Sequence, residues 1–107
     1  MKIELAKTEI IHFVGIGGIG MSGLALIMKG LGFEVQGSDI RPSKNIERLK
    51  KNKIKVYIGH SKKNISNSTI LVISSAIKYS NPEILAAKTK QLPVYKRGDM
   101  LAHVVSY

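Results

Sequence analysis

Apolar positions in this chain follow two patterns. Ile10 to Val14 and Ile70 to Ile73 are apolar runs rich in β-branched residues, the pattern of strands covered on both faces of a parallel sheet. Met21, Leu24, Ala25, Met28 and Leu31 instead recur at helical spacing, with Ile27 widening the stripe, and Gly30 and Gly32 stop that helix. Shorter strands are expected at Glu34 to Gly37, Lys55 to Ile58 and Pro93 to Tyr95. After the break at Pro42, Ser43 or Asn45 caps a polar helix that runs to Lys51. Ser61 to Ser68 is polar and reads as a loop or a single helical turn. Asn81-Pro82-Glu83 starts a further helix, reaching Lys90: Asn caps, Pro fits the first turn, and Glu complements the dipole. Arg97 to Val105 has helical character. This alternation predicts an α/β fold, a Rossmann-like doubly wound parallel sheet of about five strands in a single domain, with right-handed crossovers.

The 107 residues are 44% hydrophobic, enough for a core but for only one domain. No apolar run is long enough to span a bilayer and no stretch reads as a signal peptide, so a cytoplasmic location is expected. The absence of cysteine excludes disulfides, thiolate metal sites and a Cys nucleophile. The net charge of +10 raises the question of nucleic acid, and eight basic residues lie between Lys44 and Lys63. Lysines outnumber arginines fourteen to three, however, and no aromatics are interleaved for base stacking, so the cluster reads as a solvated surface.

The chemistry concentrates where the first strand ends. Gly15, Gly17, Gly18, Gly20 and Gly23 occupy five of the nine positions over which that strand gives way to its helix, leaving a bare backbone that a phosphate or diphosphate can approach. In such a turn the first glycine allows the sharp exit, Gly17 removes a Cβ that would meet the phosphate, and Gly20 permits close helix–sheet packing. The Gly17 backbone is expected to accept a side chain, with loss of phosphate binding as the consequence. No lysine follows the glycines, which excludes a Walker-type triphosphate loop. Asp39 stands at the end of the second strand, where a carboxylate can accept from ribose hydroxyls. Taken alone, these features fit an NAD(P) or flavin site as well as any other nucleotide. His12, inside the first strand, reads as structural, and His103 carries no signal.

The sequence from His12 to Gly23, His-Phe-Val-Gly-Ile-Gly-Gly-Ile-Gly-Met-Ser-Gly, resembles the N-terminal signature of the Mur ligase family, in particular its L-alanine-adding branch. The likeness continues through Gly37-Ser38-Asp39, Gly59-His60, Ser74-Ser75-Ala76-Ile77, Asn81-Pro82-Glu83, Pro93-Val94, Arg97 and Met100-Leu101, in order along nearly the whole chain. Gly98-Asp99 departs from the Ala-Glu usual in the family. The resemblance implies that residues 1–107 form the N-terminal domain that holds the UDP part of UDP-N-acetylmuramate. The diphosphate then rests on Gly15, Gly17, Gly18, Ile19 and Gly20. Ser38 and Asp39 face the uridine, so loss of Asp39 is expected to weaken uridine recognition and spare pyrophosphate. His60 lies beside the nucleotide, Ser74, Ser75 and Ala76 border the diphosphate and amino sugar, and Arg97 is a further ligand contact. The resemblance further implies a longer enzyme whose central and C-terminal domains, expected as partners, use ATP and Mg²⁺ to activate the lactyl carboxylate for attack by an amine. This domain is expected to bind neither cofactor and to be inactive alone, as an expressed fragment or split gene product.

Overall fold

The computed structural model describes residues 3–106. Five strands, β1 (Ile10–Val14), β2 (Glu34–Asp39), β3 (Lys55–Ile58), β4 (Ile70–Ile73) and β5 (Val94–Lys96), form one sheet in the order β3-β2-β1-β4-β5, every pair parallel. Helices α1 (Ile19–Gly30), α2 (Lys44–Lys51), α3 (Pro82–Thr89) and α4 (Arg97–Val104) connect or follow them, with one 3₁₀ turn at Lys62–Ile65. The α/β reading from the apolar pattern holds.

Side-chain alternation divides the core between the two faces. Ile11 and Phe13 of β1, with Ile70 and Val72 of β4, pack against Met21, Leu24, Ala25 and Met28 of α1, Leu49 of α2, and Met100 and Val104 of α4. Val14, Leu71 and Ile73 point the other way, onto Ile84 and Ala87 of α3 and Ile65 of the 3₁₀ turn. His12 shares that second face and is fully buried. A polar ring at a central strand position requires partners there, because an unpaired buried polar group is unfavourable by about 1–3 kcal/mol.

The differences from expectation are local. β2 continues through Ser38 and Asp39, because Ser38 pairs with both Val14 and Tyr57 and so stays within the ladder. β5 begins at Val94; Pro93 contributes only its carbonyl, to the Leu71 amide. Ser43, not Asn45, caps α2 by accepting from the Ile46 amide. The basic residues of α2, the following turn and the start of β3, from Lys44 to Lys55, are exposed. Among the described residues no helix is long and apolar enough to cross a membrane.

The chain runs outward from β1 to β3 on one side, then crosses back to β4 on the other side of β1. The carboxyl ends of β1 and β4 therefore flank the point where strand order reverses, which is where open α/β sheets bind ligands.

Candidate functional site

The turn that leaves β1 is shaped by its neighbours. Gly15 has φ +82°, a conformation other L-residues rarely adopt. The amides of Gly15 and Ile16 both donate to the Ser38 carbonyl, at 2.9 and 3.0 Å, and Gly18 donates back to the Gly15 carbonyl at 3.2 Å. Asp39 Oδ2 accepts from the Gly17 amide at 2.8 Å while Oδ1 accepts from Ile40, also at 2.8 Å. Asn45 Nδ2 donates to the Gly17 carbonyl at 2.9 Å. The donors that these contacts leave open are those of the first turn of α1: Ile19, Gly20 and Met21 have no acceptor among the described residues.

Two expectations about the glycines change. A Cβ on Gly17 would stand 2.7 Å from Asp39 Oδ2 and 3.2 Å from Ile46 Cγ1, so the position is closed by the protein itself and does not accept a side chain freely. A Cβ on Gly20 would meet not the sheet but Arg97, at 3.1 Å from Cδ and Nε and 3.2 Å from Cζ. Gly20 thus makes room for a guanidinium beside the open end of α1. That end has no side-chain cap and no acidic residue in its first turn, and a cation now lies against it. Helix dipole and guanidinium add in sign, and an anion is the group that relieves both.

Across the reversal point, Ser74, Ser75 and Ala76 form the turn after β4, closed by the Ile77 amide on the Ser74 carbonyl at 3.3 Å. Ile77 Cδ1 reaches to 3.1 Å from where a Gly15 Cβ would be, bringing this turn against the glycine turn. Ile73, Ser74, Ser75, Ile77, Tyr79 and Lys96 line a cavity of about 180 Å³ there. The carboxyl edge therefore gathers the glycine turn, Asp39, Arg97 and the Ser74 turn.

Ser38 corrects its expectation. Its side chain is fully buried on the α3 face of the sheet, donating to Glu83 Oε1 at 2.6 Å with His60 Nδ1 at 2.9 Å. Glu83, fully buried at the start of α3, also receives His12 Nε2 at 2.7 Å on Oε1, and the Ser61 amide (3.0 Å) and Asn64 Nδ2 (2.7 Å) on Oε2. Burial works to raise the Glu83 carboxyl, but the hydrogen bonds from His12, Ser38 and Asn64 outweigh it and hold it down at about 2. Glu83 was legible in sequence only as a dipole partner. The signal that could have pointed to its inward turn is His12, a polar ring in a strand that must be covered on both faces.

Residues 10–107 match the model of the Mur ligase family, catalytic domain. The chain belongs to the Mur ligase family. Among curated relatives, a UDP-N-acetylmuramate–L-alanine ligase of Pelagibacter ubique is 76% identical over 99% of this chain and 23% of its own length. One from Bartonella bacilliformis is 53% identical over all of this chain and 22% of its own. The UDP-N-acetylmuramate–alanine ligase MurC of Thermotoga maritima superposes with a TM-score of 0.87 at 34% identity, over 91% of this chain and 23% of the other. A second solved member, the UDP-N-acetylmuramate:L-alanyl-γ-D-glutamyl-meso-diaminopimelate ligase of Neisseria meningitides, gives 0.83 at 31% identity, over 89% and 30% respectively. This Mur ligase chain thus spans less than a quarter of the length of those curated relatives.

Proposed function

We propose that this chain is the substrate-anchoring domain of a UDP-N-acetylmuramate–L-alanine ligase of peptidoglycan synthesis, acting in the cytoplasm. The observation that carries the reading is the open first turn of α1 with Arg97 laid against it, at the reversal point of the sheet. The amides of Ile19 and Gly20, with the Arg97 guanidinium, hold the diphosphate of UDP-N-acetylmuramate. Gly15, Gly17 and Gly18 act by shape, since their own amides serve the turn. Each carboxylate oxygen of Asp39 keeps a lone pair for the nucleoside side. Ser74, Ser75 and Ala76 border the diphosphate and amino sugar from the β4 side, and His60 approaches the uridine end. Charge-assisted hydrogen bonds of this kind contribute about 1.5–3 kcal/mol each, so two or three secure the ligand.

In the whole enzyme, ATP and Mg²⁺ supply carboxylate activation. Among the described residues no group of three or more His, Asp or Glu side chains could hold a metal ion, and no lysine follows the glycine turn. The residues present therefore do not fit either cofactor, and their part is to bind and orient. Anchoring the nucleotide end far from the lactyl carboxylate turns binding energy into positioning of the reacting group for the central and C-terminal domains.

Thermal unfolding with UDP-N-acetylmuramate, UDP, NADH and NADPH tests the reading. Ligand at about a hundred times its dissociation constant adds about 2.7 kcal/mol, which raises Tm by about 10–20 °C in a domain this size. Both UDP compounds are expected to produce the shift. A shift with NADH or NADPH and none with either UDP compound overturns the proposal and returns the turn to dinucleotide binding.

A further inference from the structure

The hydrogen positions around Glu83 follow from the heavy atoms. Gln36 Nε2 lies 2.7 Å from the Asn64 carbonyl, which can only accept, so the amino group of Gln36 must point there. The same nitrogen is 2.8 Å from His12 Nδ1 and 3.1 Å from Ser68 Oγ; because an amide nitrogen cannot accept, Nδ1 bears no proton and the His12 proton is on Nε2, directed at Glu83 Oε1. Ser38 Oγ lies 2.6 Å from the same oxygen of an ionised carboxylate, so the serine proton lies between them. A serine hydroxyl has one proton. With it committed to Glu83, Ser38 can only accept from His60, so Nδ1 carries a proton and, when the ring holds a single proton, that is where it sits. Glu83 Oε2, at 3.5 Å from the same nitrogen, favours that placement as well.

His60 Nε2 is then a bare acceptor. It has no partner among the described residues, yet it is not among their sealed, unpartnered polar atoms; the side chain is 13% exposed. We propose that Glu83, acting through Ser38, is a positioning residue that fixes His60 in its Nδ1–H form, so that Nε2 selects a hydrogen-bond donor on the ligand, an imide N–H or a ribose hydroxyl. Identification of that ligand as a uridine nucleotide rests on the function proposed above. The tautomer itself does not. A ring free to exchange its proton would accept or donate at the edge indifferently; a ring held from behind discriminates.

The experiment is ¹H–¹⁵N correlation of the uniformly ¹⁵N-labelled chain at mildly alkaline pH, long-range for the imidazole rings and one-bond for the backbone amides, with and without UDP. Without ligand, His60 is expected to show a protonated Nδ1 and a bare Nε2, and Ser38→Ala is expected to move the proton toward Nε2. A protonated Nε2 in the unsubstituted chain, or a tautomer that Ser38→Ala leaves unchanged, overturns the proposal; the first of these needs no variant to fold. On adding UDP, the Nε2 resonance is expected to shift as it accepts a hydrogen bond. Ser38→Ala is expected to weaken UDP about three- to tenfold. If UDP moves the Ile19 and Gly20 amides but not His60, selection by Nε2 is wrong while the diphosphate site stands. If the tautomer is as stated and UDP moves neither, the nucleotide reading fails and the Glu83–Ser38–His60 arrangement survives it. The 2′-deoxy, 3′-deoxy and N3-methyl analogues of UDP identify the donor: the analogue that lacks it loses affinity in the unsubstituted chain but not in Ser38→Ala, and equal losses in both chains for every analogue overturn selection by Nε2.

Discussion

Glu83→Gln separates the contribution of a buried carboxylate from that of the packing around it. The folded protein holds this group at about 2 against an ordinary 4.5, which corresponds to about 3 kcal/mol of stability. Because the folded value is the lower one, that stability is fully present above pH 4.5 and is lost as pH falls from there toward 2. Glutamine cannot reproduce the anion: whichever way it is turned, its amino group meets donors, either His12 and Ser38 or Ser61 and Asn64. The variant is therefore expected to be about 3 kcal/mol less stable at neutral pH, with the gap closing through the acid range. Urea unfolding followed by far-ultraviolet circular dichroism at a series of pH values measures this, since the chain has no tryptophan to report. Charge repulsion in so basic a protein grows in acid for both forms and cancels in the difference. A gap that stays constant between pH 7 and pH 3 refutes the argument, because it means that Glu83 is neutral in the folded protein or no better bonded there than in the unfolded chain.

Two further substitutions test the edge. Asp39→Ala releases the Gly17 amide and loosens the turn, so inorganic pyrophosphate and UDP are both expected to bind about three- to tenfold more weakly by calorimetry; loss confined to UDP would assign Asp39 to the nucleoside alone. Arg97→Ala is expected to weaken UDP about ten- to a hundredfold with little change in unliganded Tm, and Arg97→Lys to restore part of it; unchanged affinity removes Arg97 from the site.

Elements built from local rules were readable in advance. The runs at Ile10 and Ile70, the stripe from Met21 to Leu31 and the Asn81-Pro82 cap each depend on neighbours within a few residues, and all appear where the pattern puts them. The roles of Asp39, Ser38 and Gly20 depend on partners 22 to 77 positions away, and there sequence fails for a physical reason. A carboxylate after a strand accepts equally well from a ribose or from a backbone amide, and a serine at a strand end can face outward or into the core. A glycine opening a helix makes room for whatever crosses it. The register of the five strands decides among these, and register is not written in any single segment.

The turn after β1 is held by groups it does not contain: the Ser38 carbonyl, the Asp39 carboxylate and the Asn45 amide. Its conformation is thus settled when the second strand and helix dock, before any anion arrives. Loops that a ligand must organise surrender configurational freedom on association; this one is cast like a mould during folding, so that phosphates bound as proposed above would meet a surface already set. On the function proposed above, association is accordingly expected to leave the backbone of this turn almost where it was.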